Sequence, residues 1–314
     1  MAEQTDTRPA VDLSVVIPVF NEEENLPDLH RRLVEVLDTL NRSFEIILVD
    51  DGSTDRSFEI LRQLHAKDPR VRAVRFSRNF GHHIALTAGL DAARGRAVVM
   101  MDADLQDPPG EIPRLLAKHA EGYHLVYGIR RERHDPWLKK ATSKLFWWIL
   151  RRFTDVPIPA GQTMLRVLDR RIVDEMKSMR ERARFVHGMM AWVGYDATTV
   201  EVEHAPRTKG HSKYNLGRMF KLAFHAVTSF STLPLRMATY GGFACGIISG
   251  VVMAYYIIRK LIFGFSMPGF ATIVVAIIFF GALQLLMLGI IGEYLGRTYQ
   301  EVQQRPLYIV RDIL

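Results

Sequence analysis

Short apolar, β-branched runs alternate with polar turns and helical spacing through the first part of the chain. LSVVIPV (Leu13 to Val19) is followed by Asn21, a residue suited to cap a helix, and then by EEENLPDLHRRLVEVLDTL with apolar residues at helical intervals. FEIILVD (Phe44 to Asp50) precedes a helix expected to be capped near Ser53 to Asp55, and VRAVRF (Val71 to Phe76) precedes one from about His83 to Arg94. AVVMMD (Ala97 to Asp102) leads into a helix opened by Pro108 and Pro109, prolines being tolerated in a first turn. TMLRVL and ATTVEVEHA read as later strands. Strands that alternate with helices predict an α/β fold, a Rossmann-like and mostly parallel sheet covered on both faces.

The pattern then changes. From Met237 to Leu295 charges nearly vanish. Met237 to Ile258 and Phe270 to Gly292 are uncharged runs of about 22 and 23 residues, each long enough to cross a hydrocarbon core of ~30 Å. Two transmembrane helices are expected, preceded by an amphipathic interfacial helix over Asn215 to Arg236. WLKKATSKLFWWILRRF (Trp137 to Phe153) fits either another interfacial helix or one that covers the sheet. The expected organisation is an α/β domain over 1–214, the interfacial helix over 215–236, a transmembrane hairpin over 237–295 and a tail over 296–314.

Charge sets the orientation. Arg207, Lys209, Lys213, Arg218, Lys221 and Arg236 precede the first span, Arg297, Arg305 and Arg311 follow the second, and the hairpin offers only Arg259 and Lys260. The basic excess predicts both termini, and the domain that precedes the spans, on the cytoplasmic side of a membrane crossed twice, with a loop around Phe263 to Gly269 on the other side. The N-terminus is polar, without the apolar region of a signal peptide. Cys245 is the single cysteine and lies in an expected span, which excludes an intramolecular disulfide. The net charge of +7 clusters near the membrane, where it meets lipid phosphate. No aromatic and basic residues interleave as in single-strand binders, so no nucleic-acid partner is expected.

Ligands of parallel sheets bind beyond the carboxyl ends of the strands. Three loops reach that edge: PVFNEEE, VDDGSTD and DADLQD. No G-x-G-x-x-G follows the first strand and no Walker A loop occurs, which argues against dehydrogenases and P-loop enzymes. Asp102 and Asp104 flank Ala103, and residues two apart in an extended or turning segment face the same way. Both carboxylates can reach one cation. Oxygen donors in small number suit Mg²⁺ or Mn²⁺ whose other positions are filled by phosphate and water, with Gln106 as a further neutral oxygen; capping of the next helix is the alternative for the acids. Asp50 and Asp55 fit turn and cap roles, whereas Asp51 is the candidate for ligand contact. No His spacing forms a zinc site, although His82 and His83 adjoin the same edge.

IPVFNEEENL, LVDDGSTDRS, the RNFG of Arg78 to Gly81, and MDADLQDPP together resemble the signature series of family 2 glycosyltransferases of the GT-A fold. The R-x-x-G-x-S-K-Y element from Arg207 to Tyr214, the two spans and GEYLGRTYQEVQQRP extend the resemblance to bacterial polyprenyl-phosphate glycosyltransferases. These are related to dolichol-phosphate mannose synthase and include undecaprenyl-phosphate glucosyl and aminoarabinose-type transferases. The resemblance implies inverting transfer of one sugar from a nucleotide sugar, UDP-linked, to a polyprenyl phosphate. It also implies a homo-oligomer, a tetramer in the relatives. Carried over by motif, Pro18, Phe20, Asn21, Glu22, Val49, Asp51 and Arg78 would contact the nucleotide, while Asp102, Ala103 and Asp104 would hold the diphosphate through the metal.

The acceptor phosphate carries most of two charges near neutral pH, so it needs cations more than deprotonation. Arg130, Arg131, Arg207, Ser212 and Lys213 are the candidates, Arg207 and Lys213 foremost. Many relatives place an Asp just before the strand at Thr163, where this chain reads PAGQ with Ala160, Gly161 and Gln162. Three readings follow: Gln162 orients the acceptor, Asp155 substitutes, or the dianion attacks without a protein base. The last is preferred. A processive polysaccharide synthase is disfavoured by the missing Q-x-x-R-W motif and the small number of spans, and a non-catalytic carrier-lipid scaffold by the intact DADLQ.

Overall fold

The computed structural model describes residues 11–130, 159, 161–182, 184–203, 233–263 and 269–314. Of the expectations above, the helix at Trp137 to Phe153, residues 204–232 with their R-x-x-G-x-S-K-Y element, and the loop at 264–268 lie outside the described residues.

One compact unit contains the N-terminal sheet and, returning to it, the last residues from Arg305 to Leu314. Its strands are β1 (Leu13–Val19), β2 (Phe44–Asp50), β3 (Val71–Phe76), β4 (Ala97–Met100), β5 (Leu125–Arg130), β6 (Gln162–Asp169), β7 (Ala197–Val202) and β8 (Val310–Ile313). They form one sheet in the order β7-β5-β6-β4-β1-β2-β3-β8. β1 pairs in parallel with β2 and β4, and β2 with β3. The far side mixes directions, because β6 runs antiparallel to both β4 and β5, while β5 and β7 are parallel. β1 and β2 are buried along their whole length, as expected of strands with helices on both faces.

The helices cover the sheet through their apolar stripes. α1 (Leu26–Asp38) buries Leu26, Leu29, Leu33 and Leu37, a helical spacing that places all four on one face. α2 (Ser57–Lys67) buries Phe58 and Leu61. α3 (His82–Ala92) packs so tightly on β1 and β2 that a Cβ at Gly89 would collide with the Val16 side chain and meet Val49 at 3.4 Å. A 3₁₀ turn at Pro109–Glu111 precedes α4 (Ile112–Ala120), so the two prolines open a tighter turn before the helix proper. α5 (Arg170–Ser178) is capped by Asp169, which accepts from the Arg171 N–H at 2.9 Å, and α6 (Val186–Trp192) follows.

Two capping expectations are corrected. Asn21 does not cap α1: it sits at φ 57°, and its Oδ1 accepts from the Thr54 N–H at 2.9 Å, while the helix starts five residues later with Asn25 before it. α2 starts at Ser57 rather than at Ser53, although Asp55 does accept from the Ser57 N–H at 3.0 Å.

The second unit contains the apolar helices α7 (Leu233–Phe263) and α8 (Phe270–Val302). Both are long and apolar enough to cross a membrane, over Ala238–Arg259 and Ala276–Val302, and most of the described large apolar side chains along them are exposed in the isolated chain. α8 runs past the expected end at Gly292. What reads as a tail is therefore helix to Val302, then a strand: β8 pairs antiparallel with β3, and Leu314 exchanges main-chain hydrogen bonds with Ala73 at 2.8 and 3.3 Å.

Candidate active site

The loops after β1 and β2 are stitched to each other before they offer anything to a ligand. Asn21 N–H donates to Ser53 Oγ, Glu22 N–H to Ser57 Oγ and Glu23 N–H to Asp55, while Arg56 N–H donates to Glu23. Asp50 accepts from the Ser53 N–H at 2.9 Å, which closes the turn. The density of short polar residues in NEEEN and DDGSTD is thus in large part scaffolding.

Asp51 points the other way. Its carboxylate accepts from the N–H groups of Phe80 at 2.6 Å and Gly81 at 2.9 Å, and so holds the RNFG loop against the sheet edge. Burial pushes its pKa upward, and these two bonds work against that rise. Gly52 next to it adopts φ +70°, and a Cβ there would lie 2.5 Å from the Arg78 carbonyl carbon, so the two loops touch backbone to backbone.

Between these loops and DADLQD lies a cleft of about 320 Å³. Pro18, Val19, Phe20 and Glu22 come to it from the end of β1, and Asp51 from the end of β2. Asn79, Gly81, His82 and Ala85 arrive after β3, and Asp102, Ala103 and Asp104 after β4. Phe20 is 44% exposed, an aromatic face open to the cleft. Asp104 Oδ1 also accepts from the Gln106 N–H at 3.2 Å in a turn where Leu105 takes φ 58°.

The acids make the cleft hungry for positive charge. Asp102 is pushed up to about 7, by burial first and then by Asp104, Asp107 and Glu22, with Arg166 acting in the opposite sense. Arg166 is fully buried, which brings its own pKa down to about 10. Its guanidinium donates to the carbonyls of Thr163 and Met164 and to His187 Nδ1 at 2.7 Å, an arrangement in which His187 carries its proton on Nε2. Asp107 Oδ2 accepts from the Leu165 N–H at 3.2 Å, tying the acidic loop to β6. His82 Nε2 lies 3.7 Å from Asp102 Oδ1, and burial with Arg166 nearby lowers His82 to about 4, so this imidazole is neutral at physiological pH. His83, Phe185 and His187 stack edge to face behind it.

Of the residues expected to meet a ligand, the cleft brings together Pro18, Phe20, Glu22, Asp51, Asp102, Ala103 and Asp104. Others stand elsewhere. Val49 is fully buried, with its side chain toward Gly89 of α3, and so cannot offer that side chain to a ligand. Asn21 is occupied with Thr54, and Arg78 lies over the Phe80 ring at 4.2 Å; neither is on the cleft wall. Gln106 and Gln162 are also off the wall, Gln162 with a buried Oε1 that has no hydrogen-bond partner among the described residues. Arg130 is exposed at the end of β5, whereas Arg131, Arg207, Ser212 and Lys213 lie outside the described residues. Asn79 and Gly81 were within the quoted RNFG without being singled out, and Arg166 was visible as a lone charge inside the apolar run TMLRVL.

Asp102 and Asp104 on the cleft wall are oxygen donors of the kind a hard divalent ion takes, and no group of three or more His, Cys, Asp or Glu placed to hold a metal occurs among the described residues. The chain belongs to glycosyl transferase family 2, whose pattern it matches over residues 14–181. It is 40% identical over 308 residues to the undecaprenyl-phosphate 4-deoxy-4-formamido-L-arabinose transferase of Pseudomonas aeruginosa, covering 97% of this chain and 91% of that one. The prophage bactoprenol glucosyl transferase homolog of Escherichia coli is 37% identical, covering 96% and 99%. A solved structure of glucosyl-3-phosphoglycerate synthase from Mycobacterium tuberculosis superposes with a TM-score of 0.48 at 19% identity, over 70% of this chain and 80% of that one.

Proposed function

We propose that the protein transfers a single sugar from a nucleotide sugar, UDP-linked, to the phosphate of a polyprenyl lipid such as undecaprenyl phosphate, with inversion at the anomeric carbon. The observation that carries this reading is the cleft at the sheet edge, where Asp102 and Asp104 concentrate negative charge beside an aromatic face and a buried acceptor, Asp51. The names of the two relatives above supply the acceptor class.

In this reading Phe20 stacks on the base and Asp51 anchors the RNFG loop that closes the nucleoside end. Asp102 and Asp104 would hold Mg²⁺ or Mn²⁺, which offsets the charge that builds on the departing diphosphate. His82, neutral beside Asp102, can donate a hydrogen bond without adding to the charge. An oxygen of the lipid phosphate forms the new bond to the anomeric carbon as the bond to the diphosphate oxygen breaks, and the nucleoside diphosphate leaves with that electron pair. One displacement inverts the centre. The dianionic nucleophile has no proton to lose, so no protein base is required at PAGQ. Arg207 and Lys213, with Ser212, Arg130 and Arg131, would hold the acceptor phosphate. α7 and α8 would anchor the enzyme with its catalytic unit and both termini on the cytoplasmic side of the inner membrane. By family resemblance the assembly is a homo-oligomer.

The test is a donor screen on the full-length protein in lipid nanodiscs with undecaprenyl phosphate and labelled nucleotide sugars. A lipid carrying one sugar is the expected product. A long polymer would indicate a processive synthase, and no product with any donor would indicate a scaffold.

A further inference from the structure

We infer that Tyr308 is a positioning residue for the donor cleft, a role that rests on reading that cleft as the nucleotide-sugar site. Tyr308 lies six residues beyond the end of α8, in the segment that returns to the catalytic sheet. Its ring stacks on Phe76 with centroids 5.1 Å apart and planes 20° from parallel. Phe76 is buried at the end of β3 and meets Phe80 edge to face at 5.6 Å. Phe80 in turn gives its N–H to Asp51. The Tyr308 ring therefore backs the RNFG loop through a single intervening side chain, Phe76.

The same residue also grips the helix that follows that loop. Tyr308 O–H donates to Asp91 Oδ2 at 2.9 Å, and Asp91 accepts from Arg180 at the same distance. Asp91 is near the last turn of α3, whose first turn supplies His82 and Ala85 to the cleft. Burial and the neighbouring Asp91 raise the phenol well above its usual range, so it stays a donor at any pH at which the protein works. Tyr308 thus bears on both ends of the segment from Phe80 to Asp91, through Phe76 at one and directly at the other. Packed aromatic contacts of this kind transmit displacement because interiors are close-packed and lose contact energy when a partner is withdrawn.

Two variants separate the contributions. Tyr308→Phe keeps the stack and removes the bond to Asp91, while Tyr308→Leu keeps apolar bulk and removes both. The full-length protein in detergent is titrated with UDP and with GDP in the presence of Mn²⁺ by calorimetry, and donor KM, kcat and thermal unfolding are measured alongside. For the nucleotide that the wild type binds, Tyr308→Leu is expected to weaken affinity and raise donor KM about threefold to tenfold, with Tyr308→Phe in between and kcat at saturating donor little changed. If the variants melt earlier but bind the nucleotide and the donor as the wild type does, Tyr308 only stabilises the fold and the inference is wrong. A fall in kcat at unchanged KM would overturn it equally. If the wild type binds neither nucleotide, the donor reading itself fails and takes this inference with it.

Discussion

Glu45 Oε2 accepts from Nε and Nη2 of Arg94, at 3.1 and 2.7 Å, while Glu45 Oε1 accepts from the main-chain N–H of the same arginine at 2.9 Å. Ser14 and Arg72 complete the ring of donors around this carboxylate, which is 2% exposed. It joins β1, β2, β3 and the turn before β4 at the amino ends of the strands, opposite to the cleft. Replacing it by Ala removes the carboxylate that Arg94, Arg72 and Ser14 share and is expected to cost roughly 3–5 kcal/mol of stability, read from denaturant unfolding.

The same group sets an acid limb. Burial alone would raise the Glu45 pKa, but the bonds from Arg94, Ser14 and Arg72 outweigh burial and hold it below the ordinary value of 4.5. A depressed carboxyl contributes stability that is complete above 4.5 and disappears as pH falls through the lower folded value. Melting temperature followed downward from pH 6 should therefore fall less steeply below 4.5 in Glu45→Gln than in the wild type. An unchanged slope would show that other carboxyls govern acid unfolding.

Gly52→Ala tests how the two loops meet. The residue is at φ +70°, and the new methyl group would stand 2.5 Å from the Arg78 carbonyl carbon and 2.7 Å from the Asn79 nitrogen. Backbone strain of about 1–2 kcal/mol adds to the displacement of RNFG, so both stability and nucleotide affinity should drop. Calorimetric titration with the nucleoside diphosphate would show it.

Divalent ion dependence can be read without turnover. With Mn²⁺ and UDP at about a hundred times their dissociation constants, binding should stabilise the native protein by ~2.7 kcal/mol, and EDTA should remove the gain. Asp102→Asn should abolish it, since that carboxylate would be one of the two that hold the ion.

β1, β2 and β4 were legible because burial on both faces demands short, mostly apolar runs, and β3 was legible from the apolar positions that alternate with Arg72 and Arg75; the parallel topology then places the acids at one edge. The apolar helices were legible from length alone. β8 was not, since VRDI is four residues with two charges and its strand character comes from the free edge of β3. Asn21 misled for a related reason: its side chain satisfied a backbone group 33 residues away rather than the helix next to it. Arg166 announced itself as a charge in an apolar strand, but its partner His187 is brought to it only by the packing of α6. Contacts set by tertiary packing leave no local pattern.

Donor and acceptor roles should separate in the basic element. Arg207→Ala and Lys213→Ala are expected to raise the KM for lipid phosphate about tenfold or more while leaving nucleotide affinity within twofold, a split that steady-state kinetics with varied lipid would resolve.

The most direct measurement compares wild type with Asp102→Asn/Asp104→Asn, full length and in the same bilayer, for transfer of labelled sugar to undecaprenyl phosphate with saturating Mg²⁺. The account predicts a loss of at least ~10²-fold with the fold intact by thermal unfolding. Transfer at the wild-type rate by the doubly substituted protein would contradict it.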